Sequence, residues 1–127
     1  MNKIVLLLFL SLFTINCSVY KPKEEIEIIV GTWINEESPE LKMIFKNNGR
    51  CEDYINGVLS DTYLYAISKT SPQCGQVVPT GELYSYLKLV NTKDSNEAYC
   101  YEILSLNDEY LQIRWVERGG HVSYKRQ

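Results

Sequence analysis

The amino-acid sequence predicts an all-β domain built from eight short antiparallel strands. From residue 28 onwards, apolar and polar residues alternate with a period of two, as Leu41, Met43 and Phe45 illustrate. Turn sequences separate these runs, and Asn56-Gly57 is the strongest hairpin signal because both residues tolerate positive φ. No run in this region has a helical period. Eight strands at this close spacing predict either an up-and-down barrel or a sandwich.

The first four predicted strands follow one another through short turns. The first is rich in β-branched residues, and the second is followed by an Asn-Asn-Gly turn at residues 47–49. In the fourth strand, Tyr63, Tyr65 and Ile67 alternate along the chain. The predicted bounds are 28–34, 41–45, 50–55 and 58–68.

A longer loop that contains Pro72 and Pro79 separates these strands from the last four. In the sixth strand, Tyr99, Tyr101 and Ile103 share one face. Closing the eight strands into a barrel would remove the exposed edges that invite aggregation. The predicted bounds of the last four strands are 83–90, 97–106, 110–117 and 121–126.

The N-terminus has the layout of a secretory signal peptide. Lys3 precedes an apolar run over residues 4–15, which is interrupted only by Ser11 and Thr14. About 12 residues are too few to cross a bilayer, which takes about 20. One cation before a short apolar run is typical of a secretory signal. A buried N-terminal helix or strand is the alternative.

The apolar run ends in Thr-Ile-Asn-Cys at residues 14–17, which resembles the lipobox of bacterial lipoproteins. The resemblance implies that residues 1–16 are a lipoprotein signal peptide and that Cys17 carries several acyl chains, palmitate among them, which together anchor stably. Residues 17–27 would then be the lipidated cysteine and a polar tether. Lys-Glu-Glu at residues 23–25 resembles a signal that sends some Bacteroidetes lipoproteins to the cell surface. We therefore expect a lipid-anchored protein of the bacterial cell envelope, at the outer membrane.

The composition argues against several classes of function. The formal net charge is −3, and no run of Lys or Arg exceeds two residues. Binding of nucleic acid depends on neutralised phosphates and is therefore not expected. His121 is the only histidine, and no Cys and His residues have the tight spacing of a zinc site. We expect no enzymatic activity, no metal and no cofactor.

Beyond Cys17 the chain has three cysteines, an odd number for an oxidising compartment. Three pairings are possible, and we favour Cys74–Cys100, which would tie the long loop to the sixth strand. A disulfide that closes about 26 residues contributes about 3–4 kcal/mol in the chain-entropy model. Cys51 would then be a free, buried thiol. The alternative is that all three cysteines stay reduced.

A Gly-Thr-Trp sequence opens the first predicted strand and, with the C-terminal Val-Ser-Tyr-Lys-Arg, resembles the lipocalin signature. In lipocalins the Gly-x-Trp opens the barrel, and a basic residue of the last strand stacks over the Trp. The resemblance implies a lipocalin-like barrel over residues 28–127, closed by Gly31, Trp33 and Arg126, with Lys125 as the other candidate base. A guanidinium over an indole face contributes about 0.5–2 kcal/mol.

The chain more closely resembles small lipocalin-like lipoproteins of Bacteroidetes. Their ordered pattern is Gly-Thr-Trp, Phe-x-x-x-Gly, Tyr-Leu-Lys-Leu and Cys-Tyr-Glu-Ile-Leu-Ser-Leu. The resemblance extends over residues 28–126 and implies a barrel lipoprotein. The matching stretches of this chain are 31–33, 45–49, 86–89 and 100–106.

Tyrosine is the commonest aromatic residue, with 10 Tyr against 2 Trp and 3 Phe. Tyr offers an apolar ring and a polar hydroxyl, which favours a pocket for a small, lipid-like amphipathic or hydrophobic ligand. An eight-stranded barrel is wide enough to hold one small ligand or to be filled by its own side chains. A filled barrel would instead act through its outer surface, as an accessory subunit of an envelope complex. The candidate pocket residues are Tyr63, Tyr65, Leu87, Leu89, Tyr99, Tyr101 and Trp115.

Replacing Cys17 by Ala should release the protein from the membrane, because the lipid anchor is expected at this residue alone. The measurement is the fraction of the protein that pellets with membranes after cell fractionation. Cys51→Ala is the matched control and should pellet like the native chain. Unchanged pelleting of the Cys17→Ala variant would contradict the lipid anchor.

Overall fold

The computed structural model describes residues 20–127, so the predicted signal peptide and Cys17 lie outside the described residues. The strands form one closed barrel in sequence order, with every neighbouring pair antiparallel. This confirms the predicted all-β, eight-stranded up-and-down barrel and excludes the sandwich. The elements are α1 (Glu25–Ile28), β1 (Gly31–Asn35), β2 (Leu41–Phe45), β3 (Arg50–Ile55), β4 (Val58–Ser68), β5 (Tyr86–Asn91), β6 (Ala98–Leu106), β7 (Tyr110–Trp115) and β8 (His121–Arg126).

The structure differs from the prediction at the start of the barrel. The first strand was expected from residue 28, but residues 25–28 form the helical turn α1 and β1 begins at Gly31. The β-branched residues of this segment do not enter the sheet, because Ile29 instead fills the end of the barrel and is fully buried. Here tertiary packing determines the local structure, although the sequence has a high strand propensity. Residues 25–27, the last part of the expected tether, are therefore part of the folded domain.

The strands run alternately up and down, so the connections fall into two groups at the two ends of the barrel. We call the end at which β1 begins the closed end; its connections are residues 46–49, 69–85 and 107–109. The opposite end is called the open end. Its connections are residues 36–40, 56–57, 92–97 and 116–120.

Large apolar side chains fill the half of the barrel next to the closed end. Tyr65 packs edge-on against Phe45 with ring centroids 5.0 Å apart, and its hydroxyl donates a hydrogen bond of 2.6 Å to the carbonyl of Lys46. Edge-to-face pairs of this kind contribute about 0.5–1.5 kcal/mol beyond the burial of their area. The side chains that are at most 1% exposed in this half are Ile29, Trp33, Phe45, Cys51, Leu87 and Leu111.

Arg126 joins the last strand to the first. Its guanidinium carbon lies 4.2 Å from the ring centroid of Trp33, a cation–π geometry, and its Nη1 donates a 2.8 Å hydrogen bond to the carbonyl of Val30. Its Nη2 donates to the carbonyl of Ile28. A Cβ at Gly31 would collide with Nη1, and φ of Gly31 is 142°, a value that favours glycine. Only glycine leaves room for the guanidinium here.

The long connection between β4 and β5 lies on the outside of the barrel. A disulfide joins Cys74 in this loop to Cys100 in β6, which confirms the favoured pairing. Under the loop, Tyr86 is buried and its hydroxyl donates to the carbonyl of Pro79. Cys51 is the free cysteine of residues 20–127 and is buried in the closed half; burial raises the pKa of its thiol.

Replacing Trp33 by Ala should lower the free energy of unfolding by at least about 3 kcal/mol, as truncations of buried aromatic side chains do. Trp33 is 0% exposed, and the variant also removes the ring on which Arg126 stacks. Urea denaturation measures the effect. Trp115→Ala is the matched control and should lose less, because Trp115 is only partly buried. A loss below about 1 kcal/mol for Trp33→Ala would contradict the proposed closure.

Candidate functional site

The half of the barrel next to the open end contains a cavity of about 370 Å³. Apolar and aromatic side chains form its wall, and one carboxylate and one guanidinium are the charged groups among its lining residues. The lining residues are Leu41, Met43, Asp53, Tyr63, Leu89, Tyr99, Tyr101, Trp115, Arg118 and Tyr124.

The structure separates the predicted pocket residues into two groups. Tyr63, Leu89, Tyr99, Tyr101 and Trp115 line the cavity. The other two predicted residues, Tyr65 and Leu87, do not line it but belong to the filled half. Both point into the barrel as the alternation predicts, but the tilt of the strands places them below the cavity floor.

Half of the cavity wall was not among the predicted residues. Leu41 and Met43 share one face of β2 with buried Phe45, and Asp53 shares one face of β3 with buried Cys51. The period of two could therefore have predicted that these three side chains point into the barrel. Tyr124 belongs to the C-terminal Val-Ser-Tyr-Lys-Arg sequence and was not among the predicted pocket residues. Arg118 belongs to the turn between β7 and β8, and no periodic pattern could have placed it. The predicted closure residues lie in the filled half.

Four aromatic rings form a continuous cluster in the cavity wall. Tyr63 packs on Tyr99 with ring centroids 6.1 Å apart, and Tyr99 packs on Trp115 at 5.6 Å. Tyr101 contacts the same indole at 4.5 Å. Burial is the main cause that raises the pKa of Tyr63 and Tyr101, and it raises the pKa of Tyr124 to about 12. These hydroxyls therefore stay protonated and neutral at physiological pH.

Asp53 places a carboxylate among these rings. It lies directly opposite Asp61 of β4, and the register of β3 and β4 shifts just after this pair, between Asp53 and Tyr54. Such a bulge redirects side chains and is common next to functional sites. Burial raises the pKa of Asp53, and the charge of Asp61 raises it further. The ion pairs of residues 20–127 are Lys21–Glu24, Lys46–Glu52 and Arg114–Glu102, so Asp53 has no basic partner there.

A hydrogen-bonded group of polar side chains lies at the rim of the cavity. The side-chain amide of Asn91 donates to Asp61 at 3.2 Å and to Glu97 at 3.0 Å. The hydroxyl of Tyr99 also donates to Glu97, which is the main cause of the raised pKa of this tyrosine. This network holds the ring of Tyr99 in the wall and connects two carboxylates through one buried amide.

Arg118 lies over the outer part of the cluster. Its guanidinium carbon is 5.0 Å from the ring centroid of Trp115, and the side chain is exposed. An exposed cation–π contact of this kind contributes about 0.5–1 kcal/mol. Arg118 therefore lies at the mouth of the cavity, where its positive charge contacts the face of the Trp115 ring.

Within residues 20–127, no group of three or more His, Cys, Asp or Glu side chains is arranged to hold a metal ion. No helix of this part of the chain is long and apolar enough to span a membrane. Comparison of the chain with protein-family models, curated proteins and solved structures gives no match. The fold and the cavity thus define a closed β-barrel with one filled half and one open, aromatic-walled half.

Replacing Asp53 by Asn should raise the free energy of unfolding at neutral pH by about 0.5–1 kcal/mol, a value kept small because solvent screens a partly buried charge. The variant removes a carboxylate that is partly buried and faces Asp61. Urea denaturation at neutral pH measures the gain, and Asp108→Asn in a closed-end loop is the control. Unchanged or lower stability of Asp53→Asn would contradict the assigned environment.

The same variant should also change the pH dependence of stability. Because the folded-state pKa of Asp53 lies above the unfolded-state value, the folded chain keeps this proton to higher pH. Stabilisation by that proton is complete below the unfolded-state pKa and is lost as the pH rises through the folded-state pKa. The advantage of Asp53→Asn should therefore vanish in acid and grow as the pH rises through this window.

Proposed function

We propose that the protein is a membrane-anchored lipoprotein of the cell envelope that binds one small hydrophobic or amphipathic ligand in the open half of its barrel. The observation that carries the proposal is the cavity of about 370 Å³ with its aromatic wall. Ligand pockets of about 300–1,000 Å³ with mostly apolar walls and a few polar groups are usual for small molecules.

The distribution of buried residues supports binding over simple incomplete packing. In the closed half, Trp33, Phe45 and Leu87 are each at most 1% exposed, so neighbouring atoms cover almost all of their surface. In the open half, Tyr99, Trp115 and Tyr124 stay only partly buried although they pack on the core. Exposed rings arranged around a concave surface offer contact area that a ligand can remove from water.

The position of the tether suggests from which side a ligand arrives. Chain residues before β1 lie at the closed end, where Arg126 binds the carbonyl of Ile28 and the hydroxyl of Ser85 donates to Glu25. A lipid anchor at Cys17 would join the barrel at this end. The cavity opens at the opposite end, so its ligand would come from the aqueous side. This geometry favours a carrier or sensor of dissolved molecules.

A second function is supported by a different surface. The hairpin between β3 and β4 exposes Ile55, Val58 and Leu59, with 44%, 68% and 48% of their surfaces accessible. These residues lie together at the tip of one hairpin at the open end. Contiguous exposed apolar residues are typical of protein–protein contacts. The alternative role as a non-enzymatic accessory subunit of an envelope complex would use this tip.

Native mass spectrometry of residues 18–127, before and after incubation with an extract of envelope lipids and metabolites, tests the binding function. We expect a reproducible added mass that Trp115→Ala abolishes, because this ring contacts both Tyr99 and Tyr101 in the wall. Leu64→Ala is the matched control, since Leu64 is 50% exposed on the barrel exterior. Its added mass should equal that of the native chain.

A chain that carries no added mass after every incubation would contradict the binding function. Cross-linking in the intact envelope would then test the accessory role. Loss of cross-links after replacement of Val58 and Leu59 by Ser would support the role of the hairpin tip.

A further inference from the structure

The cavity also has a specific chemistry, and this chemistry narrows the class of ligand if the proposed binding function holds. Its wall combines electron-rich ring faces with a single partly buried carboxylate. Neutral hydrophobic pockets have no need of an ionised group, because burying a charge without a partner is unfavourable. The presence of Asp53 in this wall therefore requires a physical reason.

The aromatic cluster is suited to a positive charge. The rings of Tyr63, Tyr99, Trp115 and Tyr101 follow one another with centroids of successive rings 4.5–6.1 Å apart, and all four border the same cavity. The π-face of an aromatic ring carries partial negative charge and attracts ammonium and guanidinium groups. The contact of Arg118 with Trp115 shows that the outermost of these rings already receives a cation.

Asp53 has no oppositely charged partner within residues 20–127, and its direct neighbour on strand β4 is Asp61, which carries the same charge. An opposite charge beside Asp53 would offset both the desolvation and the repulsion. A cation in the cavity would thus interact with the carboxylate and with the rings at the same time. An anion would meet repulsion from Asp53 and from the ring faces.

The connections at the open end also carry a net negative charge, and they surround the mouth of the cavity. They contain six acidic residues and two basic residues, Lys93 and Arg118. Rings of one sign of charge around a concave site attract ligands of the opposite sign and raise association rates. The acidic residues are Glu36, Glu37, Glu40, Asp94, Glu97 and Glu117.

Arg118 is the one group of the lining that favours an anion. It is exposed and already lies over Trp115, so solvent screens its charge more than that of the half-buried Asp53. The carboxylate lies in the wall, whereas the guanidinium lies at the mouth. The charge that a bound head group meets inside the cavity is therefore negative.

We propose that the ligand is a free organic cation, an amine or quaternary ammonium group on an apolar body, with its charged head beside Asp53 and its body against the aromatic cluster. Inside the cavity, the head group would complete an ion pair that the described chain leaves unmade. The apolar body would cover the partly exposed faces of Tyr99 and Trp115.

Three ligands with the same apolar body and different head groups test this assignment. Phenylbutylamine is cationic, phenylbutanol is neutral and phenylbutyrate is anionic at neutral pH. The full chain is titrated with each by calorimetry in a sugar-headed, non-ionic detergent, which competes equally in every titration. We expect the amine to bind about tenfold more tightly than the alcohol, as one cation–π or ion-pair contact allows, and the acid to bind more weakly than the alcohol.

Variants identify the group that recognises the charge. Asp53→Asn should lower the affinity for phenylbutylamine about tenfold, to the level of the alcohol, and should leave the affinity for phenylbutanol unchanged. Asp108→Asn is the matched control at the closed end and should keep the full preference for the amine. Circular dichroism confirms that the variants are folded, so a lost preference cannot result from unfolding.

The outcomes separate this inference from the proposed function. Equal binding of all three ligands, tightest binding of the acid, or an unchanged preference in Asp53→Asn would overturn the cationic ligand and leave an amphipathic pocket. Absence of binding by all three ligands would overturn the inference. Native mass spectrometry after incubation with envelope lipids and metabolites tests the proposed binding function separately. A short-chain phosphatidylethanolamine that binds more tightly than phenylbutylamine would assign the ammonium to a lipid headgroup and overturn a free amine.

Discussion

The barrel depends on the contact between Arg126 and Trp33. The guanidinium stacks on the indole at 4.2 Å, and its three nitrogens donate to carbonyls of the segment before β1 and of the loop between β6 and β7, including a 2.7 Å bond to Asp108. The indole nitrogen in turn donates to the carbonyl of Ile29 at 2.7 Å. One side chain thus joins β8, β1 and the chain that leads to the N-terminus. It reinforces the backbone pairing of β1 with β8, which leaves neither strand as an exposed edge.

Closure at this end also leaves the cavity in the opposite half of the barrel. Trp33, Ile29 and their neighbours fill the closed half, so the barrel's least exposed apolar side chains lie there. The open half can then hold polar groups and incompletely buried rings, since it contributes less to stability. The disulfide between Cys74 and Cys100 fixes the long closed-end loop against the outside of β6. The most deeply buried side chains and the proposed binding cavity therefore lie in opposite halves of one barrel.

The sequence predicted the strands well because their signals are local. Alternation and turn residues such as Asn56-Gly57 placed most strand ends within three residues. Which interior side chains would fill the closed half and which would line the cavity was not predictable in this way. Tyr65 and Tyr99 both point into the barrel and differ only in their position along the barrel axis, which the tilt of the strands determines. The helical turn α1 was missed since it depends on the burial of Ile29. Asp53 escaped notice because a lone acid in a strand is ordinarily solvated.

The pair of Asp53 and Asp61 runs against what stability alone would favour. Like charges directly opposite one another in a sheet are destabilising, and here they occur beside a bulge, with Asp53 in the wall of a cavity. Hydrogen bonds compensate for this repulsion only in part: the side-chain amide of Asn91 donates to Asp61, and the backbone of Tyr54 donates to Asp53. Local rules are typically broken at functional sites, where another interaction offsets the cost. Within residues 20–127 the carboxylate of Asp53 has no basic partner, and it is the group with which the proposed cationic ligand would pair.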